Sequence, residues 1–192
     1  ATLIAQLYHE NDLPIPAGIA GLLCCAIMSD TLMLKSPTCT EQDRRTVTEL
    51  GDIAGVEPMG LALRMFRAGS ELKKKTVEEL FYQDFKRINT GKASIGIGQI
   101  NSPDADELLS IKDSMQQYMQ IVMSEGNFDY LLFMLTDISR EGTWLLFAGD
   151  SNELIDHTFQ VQSKSGFVYL PGILSRKKQI VPPLLNALKQ RL

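Results

Sequence analysis

The sequence predicts an α/β (α+β) chain in two parts, a helical first part followed by a mixed β-sheet with helices on its faces. Three observations carry this reading. Apolar residues over positions 1–67 recur at helical spacing, as in Leu3, Ile4 and Leu7, or Val47, Leu50, Ile53 and Ala54. From residue 84 the period shortens, and Tyr130–Thr136 forms an unbroken apolar run of the kind expected for a central strand covered on both faces. Between these regimes lies Ala68-Gly69-Ser70-Glu71-Leu72-Lys73-Lys74-Lys75, small and then charged, with no apolar period. The expected division is therefore a helical domain over 1–69, a solvated linker or hinge over 70–75 and a sheet domain over 76–192.

In the first part, Ala1–Tyr8 reads as a helix that His9-Glu10-Asn11-Asp12 breaks. His9, with no cysteine or second histidine nearby, reads as an exposed helix-end residue, since metal sites cluster their ligands. Pro16 suits the first turn of the next helix, and Ala17–Met28 reads as a buried helix. Thr40 and Asp43 have the spacing of a helix-start cap, and Gly55 stops that helix. A short helix is expected over 58–67.

In the second part, Thr76-x-x-Glu79 is a capping box that opens a short helix. Strands are expected over 84–88 and 93–100, the second with Ile95, Ile97 and Gln99 on one face. Gly96 and Gly98 lie inside it and read as points of close packing against a helix, because a phosphate loop would need a third glycine and a helix start. Asp104–Met123 reads as one long amphipathic helix. Tyr130–Thr136 and Thr143–Ala148 form a hairpin across Arg140-Glu141-Gly142. A helix over 152–159, a strand over 167–170 and a last helix from about Ile180 complete the pattern.

Composition bounds the function classes. In 192 residues, 44% hydrophobic and 22% charged content is the balance of a chain that buries a core. A net charge of −4 gives no basic field for nucleic acid or an anionic membrane, so any phosphate grip is local. No apolar run reaches the roughly 18–20 residues of a membrane span. Cys24, Cys25 and Cys39 form neither a paired framework nor a zinc spacing, and the expected location is the reducing cytoplasm.

Two stretches carry chemistry. In Met28-Ser29-Asp30-Thr31-Leu32, Asp30 stands at the exit of an apolar helix. It ends that helix in a polar turn, or it is a carboxylate kept for a ligand, because an isolated charge in an apolar setting is disfavoured. In Ser175-Arg176-Lys177-Lys178-Gln179, three cations precede the final helix, where they oppose its dipole. They form a solvated basic turn or a phosphate site built from helix-start amides, an arginine fork and lysine charges.

Ser29-Asp30-Thr31-Leu32 with Lys35-Ser36-Pro37-Thr38-Cys39-Thr40, and Ser175-Arg176-Lys177-Lys178-Gln179, resemble two motifs of the manganese-dependent (family II) inorganic pyrophosphatases of the DHH phosphoesterase superfamily, in the family's order and at about its spacing. The resemblance covers essentially the whole chain. It implies the helical end of a DHH domain followed by a DHHA2-type mixed sheet flanked by helices. It also implies hydrolysis of pyrophosphate by water activated on Mn2+ (or Mg2+ or Co2+). Asp30 would be catalytic as a metal ligand, and Arg176 and Lys177 would grip substrate. The family's third gripping lysine matches Lys86 in Gln83-Asp84-Phe85-Lys86-Arg87, with Arg87 adjacent in register. The family's Asp-His-His motif and its amino-terminal His and Asp ligands are absent from these 192 residues, and the histidines are His9 and His157. The chain is therefore expected to be the carboxy-terminal part of a longer enzyme, with most metal ligands outside it and little activity alone. The implied partners are pyrophosphate, neither nucleic acid nor membrane, and a homodimer through the first domain is allowed. The competing expectations are a non-catalytic phosphate-binding or regulatory module and a polyphosphate-cleaving relative.

Overall fold

The computed structural model describes residues 1–70, 72–91, 93–149 and 151–190, without the side chains of Ser70 and Lys73. The chain divides into two compact units, Ala1–Gly69 and Ser70–Leu192.

The first unit is helical: α1 Thr2–Glu10, α2 Ala17–Asp30, α3 Glu41–Ala54 and α4 Pro58–Ser70. Helix α3 is fixed at both ends by its own sequence. At its start the Asp43 amide donates to Thr40 Oγ1 (3.1 Å) and the Thr40 amide to Asp43 Oδ2 (2.8 Å). At its end Gly55 takes the left-handed conformation, φ 65°. Helix α2 buries Ala20, Cys24, Ile27 and Met28, but Ile19 and Leu22 face outward, so the expected all-round burial is replaced by burial of one side.

The linker reading of 70–75 needs correction. Helix α4 runs on to Ser70, and Leu72–Lys74 is a 3-10 turn whose Leu72 is only 1% exposed in the core of the second unit. The Leu72 amide donates to Glu107 Oε1 at 3.2 Å. One apolar residue among lysines suffices to pin the segment, a signal that composition averages away. Glu71 lies outside the described residues.

In the second unit, α5 (Val77–Gln83) opens with the Thr76–Glu79 capping box. Among the described residues, five strands form one sheet in chain order: β1 Phe85–Asn89, β2 Ser94–Ser102, β3 Tyr130–Asp137, β4 Gly142–Ala148 and β5 Phe167–Pro171. Only the β2–β3 pairing is parallel. A parallel neighbour requires a crossover, which α6 (Ala105–Ser110) and α7 (Lys112–Ser124) supply. These two replace the single long helix that periodicity predicts. At Ile111 the helix breaks, next to Ser110 and Ser114, whose hydroxyls donate to the carbonyls of Glu107 (2.7 Å) and Ile111 (2.9 Å) and compete with helical bonding.

Helices cover the sheet on both sides. Leu131, Phe133, Leu135 and Leu146 pack with Phe81, Leu108, Met115 and Met119 on one face. Ile95, Ile97, Leu132, Met134 and Leu145 pack with α8 (Asn152–Phe159) and α9 (Val181–Gln190) on the other. The final helix begins one residue later than expected, after a π-helical turn over Arg176–Ile180.

Gly96 and Gly98 sit where space is exhausted, chiefly by neighbouring strands and aromatic rings. A Cβ at Gly96 would lie 2.6 Å from both Leu131 Cδ1 and Phe85 Cζ, and one at Gly98 would enter the Phe133 ring. We therefore expect Gly98→Ala to destabilise the second unit by about 1–3 kcal/mol through overpacking. The shift of the denaturant midpoint checks this, and an unchanged midpoint contradicts it.

Candidate functional site

Each unit presents one candidate constellation. In the first, the chain reverses immediately after Asp30. Leu32, Met33 and Leu34 are all left-handed, with φ of 48°, 56° and 63°. Three such residues in succession, none of them glycine, are costly, so the surroundings must hold them. Thr31 Oγ1 donates to Ile27 O (2.7 Å) and accepts from the Leu34 amide (3.1 Å). The Ser36 amide donates to Thr31 O (2.8 Å), Arg44 Nη2 donates to Leu34 O (2.8 Å), and the Leu32 and Met33 side chains are buried. The reversal returns Thr38 beside Asp30, with Thr38 Oγ1 donating to Asp30 O at 3.3 Å.

Asp30, Thr31, Thr38 and Asp43, with Thr2 and Leu3, line a cleft of about 430 Å³. The two carboxylates differ in role. Asp43 is committed to the α3 cap and to the Thr2 hydroxyl. Its partial burial pushes its pKa up, but the hydrogen bonds from Thr2 and Thr40 outweigh this and hold it below the ordinary carboxylate value. Asp30 is exposed, with its carboxylate in none of these bonds. Among the described residues no three or more His, Cys, Asp or Glu side chains gather where they could hold a metal ion. The residues present thus do not by themselves fit a metal centre. His9 pairs with Glu49 at 2.9 Å, anchoring α1 to α3, which accounts for it without a ligand role. Burial pushes the Cys24 and Cys39 thiols above their ordinary value, so neither offers a ready thiolate nucleophile.

In the second unit the constellation is cationic. Ser175 begins the π-helical turn, its hydroxyl accepting from the Lys178 amide at 3.3 Å. Gln179 ties the turn to the loop before it. Its Oε1 accepts from the Leu174 and Ser175 amides, both at 3.0 Å, and its Nε2 donates to Gly172 O at 2.7 Å. Arg176, its side chain only 13% exposed, reaches from this turn to the start of β1. Nη1 donates to Asp84 O (2.7 Å) and Ile97 O (3.2 Å), and Nη2 donates to Asp84 Oδ1 (2.8 Å). Of the five guanidinium N–H groups three are occupied. The Nε–H and the second Nη2–H, parallel neighbours on the other edge, take no part in these bonds.

Lys86 sits two residues after Asp84 and pairs across the strands with Ile97, whose carbonyl Arg176 engages. Side chains alternate along a strand, so Lys86 shares a sheet face with Ile88 and α9, while Arg87 projects to the other face. There Arg87 donates to Ser94 Oγ (3.1 Å) and Asn127 O (2.9 Å), with its guanidinium 4.9 Å from the Phe128 ring centroid. Arg87 is thus stitched into the fold. The Lys86 and Lys177 side chains are exposed, and among the described residues neither makes a hydrogen bond or ion pair. The structure therefore brings Lys86 and the Arg176–Lys177 turn to one edge of one sheet face.

Sequence reasoning did not single out Asp84, Gln99 or Gln179. A signal existed for Gln99, an amide at an inward position of an otherwise apolar strand face. None existed for Asp84, whose importance lies in a partner 92 residues away.

Residues 63–187 match the DHHA2 domain family. The chain belongs to the DHHA2 domain family. The DHHA2 match contains Lys86, Arg176 and Lys177 and leaves out Asp30. Over nearly its whole length the chain also resembles family II pyrophosphatases. It is 37% identical to the manganese-dependent inorganic pyrophosphatase of Bacillus subtilis, over 99% of this chain and 62% of that protein. It is 40% identical to the cobalt-dependent inorganic pyrophosphatase of Clostridium perfringens, over 100% of this chain and 35% of that one. A solved Methanococcus jannaschii structure, described as a "putative family II inorganic pyrophosphatase", superposes with a TM-score of 0.85 at 33% identity, covering 98% of this chain and 64% of that one. The chain is a homologue of these enzymes, and it spans about 60% of the length of the Bacillus relative.

Proposed function

We propose that this DHHA2 protein acts in the hydrolysis of inorganic pyrophosphate, and that Lys86, Arg176 and Lys177 grip the substrate. The observation that carries the reading is the half-occupied guanidinium of Arg176. The Asp84 carboxylate and two main-chain carbonyls take both Nη1 hydrogens and one of Nη2 and hold the plane still, and the remaining Nε–H and Nη2–H edge has the bidentate geometry that suits a phosphoryl group. Lys86 and Lys177 add point charges at the same sheet edge. A guanidinium fixed before the substrate arrives needs no rearrangement as charge builds on the phosphoryl oxygens, which is where electrostatic stabilisation acts. Pairing with Asp84 also offsets one of the three positive charges at this helix start.

Asp30 is proposed as the one metal ligand this chain contributes. The relatives' dependence on manganese or cobalt supports a metal, and the left-handed reversal after Asp30 gives its exposed carboxylate a fixed setting in the cleft. Because the described residues do not assemble a metal centre, the remaining ligands are proposed to lie in polypeptide outside these 192 residues. The purified chain with Mn2+ should then release phosphate from pyrophosphate at only a small fraction of the rate of the Bacillus subtilis relative. Fusion to that relative's unmatched amino-terminal part should restore turnover, and Asp30→Asn in the fusion should lower kcat. A rate for the chain alone comparable to the relative's, or an unaffected Asp30→Asn fusion, contradicts this assignment.

The grip itself is tested by calorimetric titration of the chain with imidodiphosphate at fixed salt. Arg176→Lys, which keeps the charge but loses the fork, and Lys177→Ala and Lys86→Ala should each weaken binding about 10-fold or more, the loss of a charge-assisted hydrogen bond worth about 1.5–3 kcal/mol. Lys189→Ala, on the exposed last turn of α9, should stay within about 0.5 kcal/mol of the parent. Equal affinities throughout would reduce the cluster to a solvated turn.

A further inference from the structure

One face of the central sheet changes character along its length. Over most of β2, β3 and β4 it presents Ile97, Leu132, Met134 and Leu145 to α8 and α9. At one end the same face presents Gln99, Thr136 and Thr143, all buried. Gln99 Nε2 lies 2.9 Å from Asn101 Oδ1 and 3.1 Å from both Thr136 Oγ1 and Leu174 O. The Thr136 and Thr143 hydroxyls are 3.0 Å apart, and Thr143 Oγ1 donates to Ile173 O at 2.7 Å.

The direction of this chain follows from hydrogen counting. The single Thr143 hydroxyl proton goes to Ile173 O, so Thr143 accepts from Thr136, and Thr136 in turn accepts from the Gln99 amide. The row therefore runs from β2 through β3 and β4, and it ends on the carbonyls of Ile173 and Leu174, immediately before Ser175. Gln179 holds the amides of Leu174 and Ser175 and the carbonyl of Gly172 from the other side. The main-chain polar groups leading into the cationic turn are thus fixed by side chains from two strands, Gln99 of β2 and Thr143 of β4 with Thr136 of β3 joining them, and from the turn itself.

Three apolar residues would continue the core here without any need for satisfied polar atoms. A buried hydrogen-bonded row instead favours one arrangement, because misplacing a member leaves polar groups unpaired in a low-dielectric interior. We infer that the Gln99–Thr136–Thr143 row is a positioning device that sets the 172–175 loop and so holds Arg176 and Lys177 in register for the phosphoryl group. The inference rests on the grip proposed above. These three are positioning residues: Gln99 and Thr143 touch main chain, and Thr136 joins them.

The test combines Thr143→Val, which keeps the shape and removes the hydroxyl, with Thr143→Ser, which restores it. Gln99→Met is a second variant that leaves both threonines in place. Each is titrated with imidodiphosphate well below its unfolding temperature, alone and combined with Arg176→Lys. The expected result is a loss of affinity of about 5–10-fold for Thr143→Val and for Gln99→Met, recovery in Thr143→Ser, and a much smaller additional loss in the Arg176→Lys background, since coupled residues are non-additive. A row that only stabilises the fold would lower the unfolding temperature and leave the affinity unmoved. That outcome, with Arg176→Lys itself weakening binding, overturns the inference and leaves the grip standing. Arg176→Lys being silent in the same series overturns the grip and the positioning role together.

Discussion

The contact between Arg176 and the Asp84–Ile97 edge is the constraint on which the second unit's candidate site depends. It joins the turn before the last helix to the junction of α5 and β1, 92 residues earlier in the chain. A guanidinium that is mostly buried needs partners, and here two main-chain oxygens take Nη1 and one carboxylate takes Nη2. That single arrangement sets the plane of the arginine, brings the π-helical turn to the sheet margin where Lys86 lies, and leaves one fork of the guanidinium unused. Were Arg176 to point into solvent, the Ser175–Gln179 stretch would be an ordinary basic turn.

The rest of the second unit is arranged so that this edge is stable. The parallel β2–β3 pair at the centre is covered on both faces, and β1 adds antiparallel to it with Gly96 and Gly98 admitting the aromatic rings of Phe85 and Phe133. Phe81 of α5 stacks on Phe133, with ring centroids 5.7 Å apart, so the helix that ends at Asp84 is itself packed against the sheet centre. Local positions inherit rigidity from this core, and a rigid scaffold is what lets a few exposed cations keep a fixed spacing. In the first unit the analogous constraint is the reversal at Leu32–Leu34, where Thr31, Arg44 and two buried side chains hold a backbone that would not otherwise persist.

What could be read from the sequence followed from what is local. The capping boxes at Thr40 and Thr76, the Gly55 stop and the strands on either side of Arg140-Glu141-Gly142 are short-range signals, and each stands in the structure where its residues suggest. The break at Ile111 was hidden because the apolar stripe runs through it, and serine hydroxyls, not a proline or glycine, interrupt the helix. Leu72 was hidden because one buried leucine among lysines does not alter the charged appearance of its segment. For the site, a resemblance supplied Asp30, Lys86, Arg176 and Lys177, and the structure adds why Lys86 and Arg87 differ: one lies on the face of the cationic turn, and the other is bonded into the opposite face. Asp84, Gln99 and Gln179 act through partners far away in sequence, and no periodicity encodes such pairs.

The central claim, that the unoccupied edge of Arg176 receives a phosphoryl group, is tested most directly by following the arginine Nε–H resonances of the chain by nuclear magnetic resonance during titration with imidodiphosphate. Arg87 provides an internal reference, since its Nε–H is already bonded to Ser94 Oγ. The account predicts that the Arg176 Nε–H signal shifts and becomes protected from solvent exchange at saturation, while that of Arg87 does not move. An Arg176 signal unchanged at saturating analogue would contradict it.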